Sequence, residues 1–144
     1  MTVPMTLRPD HGAAPRQTNL RRIACLMGAV AFTLGIASAL HLSGSVPGRS
    51  EPFDATHAGV AEAVIGMVLA GGAVAVVRFR SNARAIALGA VAFATVGFGV
   101  GLTFTVRGGD LPDVLYHVVI LPLLIGSLIV LMRTRGSARN DDPS

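Results

Sequence analysis

Polar and apolar positions along this chain fall into long blocks, without the alternation of a half-buried strand or the one-sided stripe of a surface helix. Four apolar runs, at residues 23–42, 58–77, 85–106 and 114–132, each approach the roughly 20 residues a helix needs to cross a bilayer core. A helix apolar all round must be buried in protein or in lipid. Four such runs within 144 residues leave almost no amphipathic element to cover them. The pattern predicts an all-α fold: an integral membrane bundle of four transmembrane helices, up-down-up-down, over residues 21–132. Residues 1–20 and 133–144 carry prolines, arginines and acidic residues with no periodic apolar face, and are expected to be flexible tails.

The first run has a competing reading. "RRIACLMGAVAFTLGIASAL" has paired arginines before an apolar stretch and ends in a small-residue "ASA", as a cleaved signal peptide does. Its apolar stretch ends near residue 42, long for a leader of about 15–30 residues, so a retained helix is expected.

Composition agrees with lipid as the solvent. Charged residues make up 14% of the chain and hydrophobic residues 51%, against about 25% charged in a soluble domain. The formal net charge of +4 does not point to nucleic acid, because the arginines flank apolar runs instead of gathering on one face. Ten of the 12 basic residues, all arginine, fall on one predicted side: Arg8, Arg16, Arg21 and Arg22, then Arg78, Arg80 and Arg84, then Arg133, Arg135 and Arg139. Arg49 and Arg107 lie on the other, among Glu51, Asp54, Asp110 and Asp113. The bias places both termini in the cytoplasm of an inner-membrane protein. Cys25 is the single cysteine, which rules out an intramolecular disulfide and cysteine zinc clusters.

A weak internal repeat adds a possible origin for the bundle. Aligning Gly35 with Gly97 pairs "AFTLGIASAL" with "FATVGFGVGL", and in each following helix a histidine precedes a glycine by nine positions, His57 to Gly66 and His117 to Gly126. Two tandem helical hairpins related by a pseudo-twofold axis along the membrane normal would explain this, with Glu62 matched to Pro122. Pro122 removes a backbone donor and is expected to kink the fourth helix. Gly66, Gly89, Gly97 and Gly101 fall on small-residue stripes that read as helix-packing faces, within the chain or in a homo- or hetero-oligomer.

The chemistry that remains is concentrated at the outer boundary. Glu62 is an ionisable residue inside an apolar run, costly in lipid and by default a functional candidate. His41 ends the first helix, while His57 and His117 begin the second and fourth. Glu62 should lie roughly 7 Å deeper than His57, near the level of Ser38 and Thr103, with Arg107 just above. Asp54, three residues before His57, would orient its imidazole. His57 and Glu62 are about 140° apart around the helix at ~100° per residue, so they cannot chelate from one face. One reading of the histidines is an interfacial ring hydrogen-bonded to water, Asp54 or Asp113. Another is that His41, His57 and His117 converge with Glu62 on a transition-metal ion, or that His57 and His117 ligate a b-type haem. A protonated Glu62 donating to Ser38, Thr103 or a backbone carbonyl would instead be a packing device.

No hydrolase, phosphate-loop or dinucleotide motif is present, so enzyme activity is not expected. The function expected first is an accessory, assembly or helix-packing subunit; the alternative is a metal-, haem- or proton-handling transport or redox protein.

Overall fold

The computed structural model describes residues 14–46, 53–79 and 81–133, with side chains from residue 18 onward. It is four α-helices joined by short connections: α1 (Ala14–Leu42), α2 (Ala55–Arg78), α3 (Ala83–Gly108) and α4 (Leu111–Arg133). Among the described residues there are no strands, and each helix is long and apolar enough to cross a membrane. At 1.5 Å per residue, 23 to 26 residues in α2 to α4 reach roughly 35–39 Å, enough for the ~30 Å hydrocarbon core. The helices extend beyond the apolar runs; α1 begins at Ala14 and not near residue 23, and α4 at Leu111 and not at 114. Most of the two expected tails, residues 1–13 and 134–144, lies outside the described residues.

Consecutive helices run antiparallel. Gly59 and Gly66 of α2 meet His41 and Leu34 of α1, Gly97 of α3 meets Ile65 of α2, and Gly101 meets His117 of α4. The face of α2 that packs inward is read directly from its spacing. Gly59, Glu62, Gly66, Leu69, Gly72 and Val76 recur at intervals of three and four, and all are buried. Met27, Val30, Leu34, Ser38 and His41 make the matching stripe on α1. The inward side of α3 is mostly alanine, at Ala83, Ala87, Ala90 and Ala94, which permits close backbone approach where lipid supplies no hydrophobic drive. α4 is the most peripheral, with His117, Leu124, Ser127 and Leu131 as its buried residues.

Three of the four nominated packing glycines do pack. A Cβ at Gly66 would stand 3.4 Å from the Ala31 carbonyl, at Gly97 2.6 Å from Ile65 Cδ1 and at Gly101 2.8 Å from His117 Nε2. Gly89 does not, because nothing lies within 4 Å of its Cβ position. Gly89 has open space around it although Gly97 and Gly101 of the same stripe are packed, while Gly59 and Gly72, not nominated from the sequence, face in. Helix α4 runs through Pro122 without a break in its helical assignment.

The end carrying Arg21, Arg78 and Arg84 is closed by a charge-assisted cap. Arg84 donates from Nε and Nη2 to the Leu131 carbonyl, at 2.9 and 2.6 Å, and from Nη2 to Met132 at 3.4 Å. The cation thereby meets the last-turn carbonyls and the negative dipole end of α4. Polar chemistry collects at the opposite end.

Candidate functional site

Hydroxyls within these helices are mostly satisfied locally, as short polar side chains in apolar helices usually are. Thr95 donates to Val91, Thr105 to Gly101 and Ser127 to Leu123, each a carbonyl four residues back. A few bonds cross between helices. Thr33 Oγ1 donates to the Val30 carbonyl, so the 2.7 Å contact with Tyr116 has the phenol of α4 donating to Thr33 of α1. Ser38 Oγ donates to the Gly59 carbonyl at 2.8 Å, joining α1 to α2.

That junction sets the position of the buried histidine. A Cβ at Gly59 would fall 2.9 Å from Leu42 Cγ and 3.1 Å from His41 Cβ, so only glycine lets the end of α1 lie this close to α2. Glu62, three residues on and thus on the same face, then meets His41. His41 Nδ1 and Glu62 Oε2 are 2.8 Å apart and both residues are buried. On the other side of the ring, His41 Nε2 is 3.5 Å from Asp113 Oδ2, in the first turn of α4. One ligand atom from each of His41, Glu62 and Asp113 can be chosen such that all lie within 4.8 Å of one another. Phe53 covers the imidazole, with ring centroids 5.8 Å apart.

His41 Nε2 has no hydrogen-bond partner, and among the described residues it is the buried side-chain polar atom of which this is true. Such a group costs on the order of 1–3 kcal/mol when nothing compensates it. Two carboxyl groups and one imidazole in this space, away from water, are tolerated when a proton or another cation offsets their negative charge.

The remaining nominated residues are placed elsewhere. His57 does not converge on Glu62: its side chain is 87% exposed, and its Nδ1 lies 3.5 Å from Asp54 Oδ2. Asp54 does partner His57 as expected, but chiefly as the helix N-cap, its Oδ1 accepting the His57 backbone N–H at 2.9 Å. His117 is buried, yet it is not one of the three converging groups. Its Nδ1–H donates to the Asp113 carbonyl at 2.9 Å, and its ring packs on Phe98 at 5.1 Å. Exposed His57 and buried His117 are not an opposed pair for haem, and the two positions related by the suspected repeat differ in setting. Ser38 serves the Gly59 carbonyl and not Glu62. Thr103 is exposed and donates to Val100, and Arg107 is exposed at the end of α3.

Asp113 is the functional candidate that the sequence reading missed. It was taken for a loop partner because the fourth apolar run starts at Val114; the helix starts at Leu111 and carries Asp113 inward. A carboxylate in the first turn of a helix is favoured by the dipole, so its position has a local cause. The signal available was its spacing of four from His117, which places both on one face of a helix begun earlier.

Asp54 supplies a pH-dependent element outside the apolar core. The His57 backbone N–H donating to its carboxylate holds that carboxyl below its ordinary value of 3.8. A depressed folded value means the cap acts fully above the ordinary carboxyl range and fades as pH falls through the folded value. Asp54→Ala should therefore speed amide exchange at His57 at neutral pH while leaving exchange in the middle of α2 unchanged; an unaltered His57 rate would contradict the cap.

A cavity of about 590 Å³ opens between α2 and α3, with Asp54 and His57 at its polar end and Ile65, Phe93 and Phe104 among its apolar walls. No family model, curated protein or solved structure matches the chain.

Proposed function

We propose that this chain is a multi-pass protein of the inner membrane, with both termini in the cytoplasm, that handles a cation at a centre in its outer leaflet formed by His41, Glu62 and Asp113. The observation that carries this reading is the unpartnered His41 Nε2, buried beside two carboxylates. The orientation rests on the ten arginines that flank one side of the four runs. Intramembrane ionisable groups facing one another across a bundle are the usual means of passing or holding cations in lipid.

The test is the response of the His41 side chain, followed by NMR of histidine-labelled full chain in detergent, as pH and added cations are varied. With Glu62→Gln, which keeps volume and hydrogen bonding but removes the carboxylate, the His41 response should change while helical content does not. A response identical to that of the unaltered chain would remove the cation reading.

The second reading, an accessory or assembly subunit, is supported by outward-facing small residues. Gly28 and Gly35 on α1, Gly89 on α3 and Gly126 on α4 have open space where a Cβ would stand. A homo- or hetero-oligomer could pack helices closely there. On that reading added cations leave His41 unchanged, and Gly35→Leu instead shifts the oligomeric state.

A further inference from the structure

Resting on the cation reading, and naming the ion, we infer that His41, Glu62 and Asp113 form a site for a divalent transition metal of the zinc class. The argument lies in how the imidazole is held. With Glu62 as a carboxylate, its Oε2, 2.8 Å from Nδ1, accepts the proton carried there, which leaves the lone pair on Nε2. That lone pair faces Asp113 Oδ2 at 3.5 Å, and His41 is only 4% exposed, so water does not freely reach it.

A proton is the poorer occupant of this gap. An Nε2–H donating to a carboxylate would draw the atoms to about 2.7–2.9 Å, whereas 3.5 Å separates them and no hydrogen bond forms. A metal ion accounts for the spacing. Ligands about 2.0–2.2 Å from a tetrahedral zinc-class ion stand roughly 3.4 Å apart, close to the separation of Nε2 and Oδ2. Glu62 supports the arrangement in the manner of carboxylate–histidine–metal units, fixing the tautomer and the ring orientation through Nδ1, and one ligand atom from each of the three residues falls within 4.8 Å of the others.

The donor set selects the class of ion. One imidazole nitrogen with carboxylate oxygens suits Zn²⁺ and its neighbours, while calcium and magnesium prefer sites made of oxygen alone. Two carboxylates and a neutral imidazole carry the two negative charges that a divalent ion cancels. His41 and Asp113 bring α1 and α4 to the ion and Glu62 anchors the imidazole from α2, so the site would tie all three helices together at the outer end.

The test is equilibrium dialysis of untagged, detergent-purified full chain against Zn²⁺, with elemental analysis, and Co²⁺ substitution read by visible absorption. One equivalent of zinc and a tetrahedral cobalt spectrum are expected. Asp113→Asn should weaken binding at least 10-fold at unchanged helical content, and Glu62→Gln by roughly 10- to 100-fold. His57→Ala should leave stoichiometry and affinity as they were, which separates the buried site from the exposed Asp54–His57 pair. If the folded, unaltered chain binds no zinc, or if His57→Ala abolishes binding, the metal site is overturned. Should zinc fail to bind while the His41 resonance still responds to pH in a Glu62-dependent way, the metal inference falls alone and the cation reading stands; loss of both responses removes both.

Discussion

His41→Ala should lower the unfolding free energy of the chain by about 3–5 kcal/mol at neutral pH, the scale of removing one partner from a buried charged group. The reason is the company the imidazole keeps. Without it, Glu62 and Asp113 remain at the same end of the bundle, buried and half-buried, with no donor between them. The loss should shrink in acid, where the carboxylates are neutral. Replacing all three by leucine should recover most of the stability, since well-packed apolar groups often match or exceed a buried ionic cluster. Reversible denaturant unfolding in micelles measures both variants. A cost of less than about 1 kcal/mol for His41→Ala would be that of an exposed pair, and would show that solvent reaches the cluster. Recovery in the triple variant would carry its own message: stability does not require these residues, so their presence answers to chemistry.

The second large effect concerns two glycines with opposite outcomes. At Gly72 a Cβ would lie 2.7 Å from Ala90 Cβ and 2.7 Å from Met27 Cε, so a side chain there drives α2 away from both α3 and α1. Methionine can bend aside, but an alanine Cβ on a packed helix cannot. Gly72→Leu should cost at least about 1–3 kcal/mol, the range for an overpacked interior. At Gly89 nothing stands within 4 Å. Gly89→Ala should therefore be neutral or stabilise by up to about 1 kcal/mol through helix propensity. Thermal unfolding of the two variants checks the pair, and a destabilising Gly89→Ala would mean that a neighbour packs on that face.

These two glycines show where sequence reading reached and where it stopped. The helices were legible because roughly 20 apolar residues in a row admit little else, and the four runs lie within the four helices, matching every end but the start of α1 to about three residues. Their ends were not, since hydropathy marks where lipid begins and helical hydrogen bonding continues past it into Leu111 and Ala14. That small error had a chemical consequence: it left Asp113 in a loop. Glu62 and His41 were recognisable as polar residues on neighbouring helices that could converge, although counting depth set Glu62 below the histidines. Which glycine stripe turned inward was not, because Gly66, Gly72 and Gly89 look alike in sequence and only the rotation of each helix separates them. For His57 the angle was legible, since its ~140° separation from Glu62 on α2 already set the two on different faces, and its side chain lies outside.

The division of the polar centre among α1, α2 and α4 bears on how the protein is made. Chains emerge from the ribosome N-terminus first, and early segments fold first. The contacts of Ser38 with the Gly59 carbonyl and of His41 with Glu62 lie wholly within the α1–α2 hairpin, so this half of the site needs no part of α4. Asp113 arrives last, on the helix whose far end is received by Arg84. The second carboxylate–imidazole contact of the centre can form only once the final helix has docked, so a chain stalled before that step would lack it.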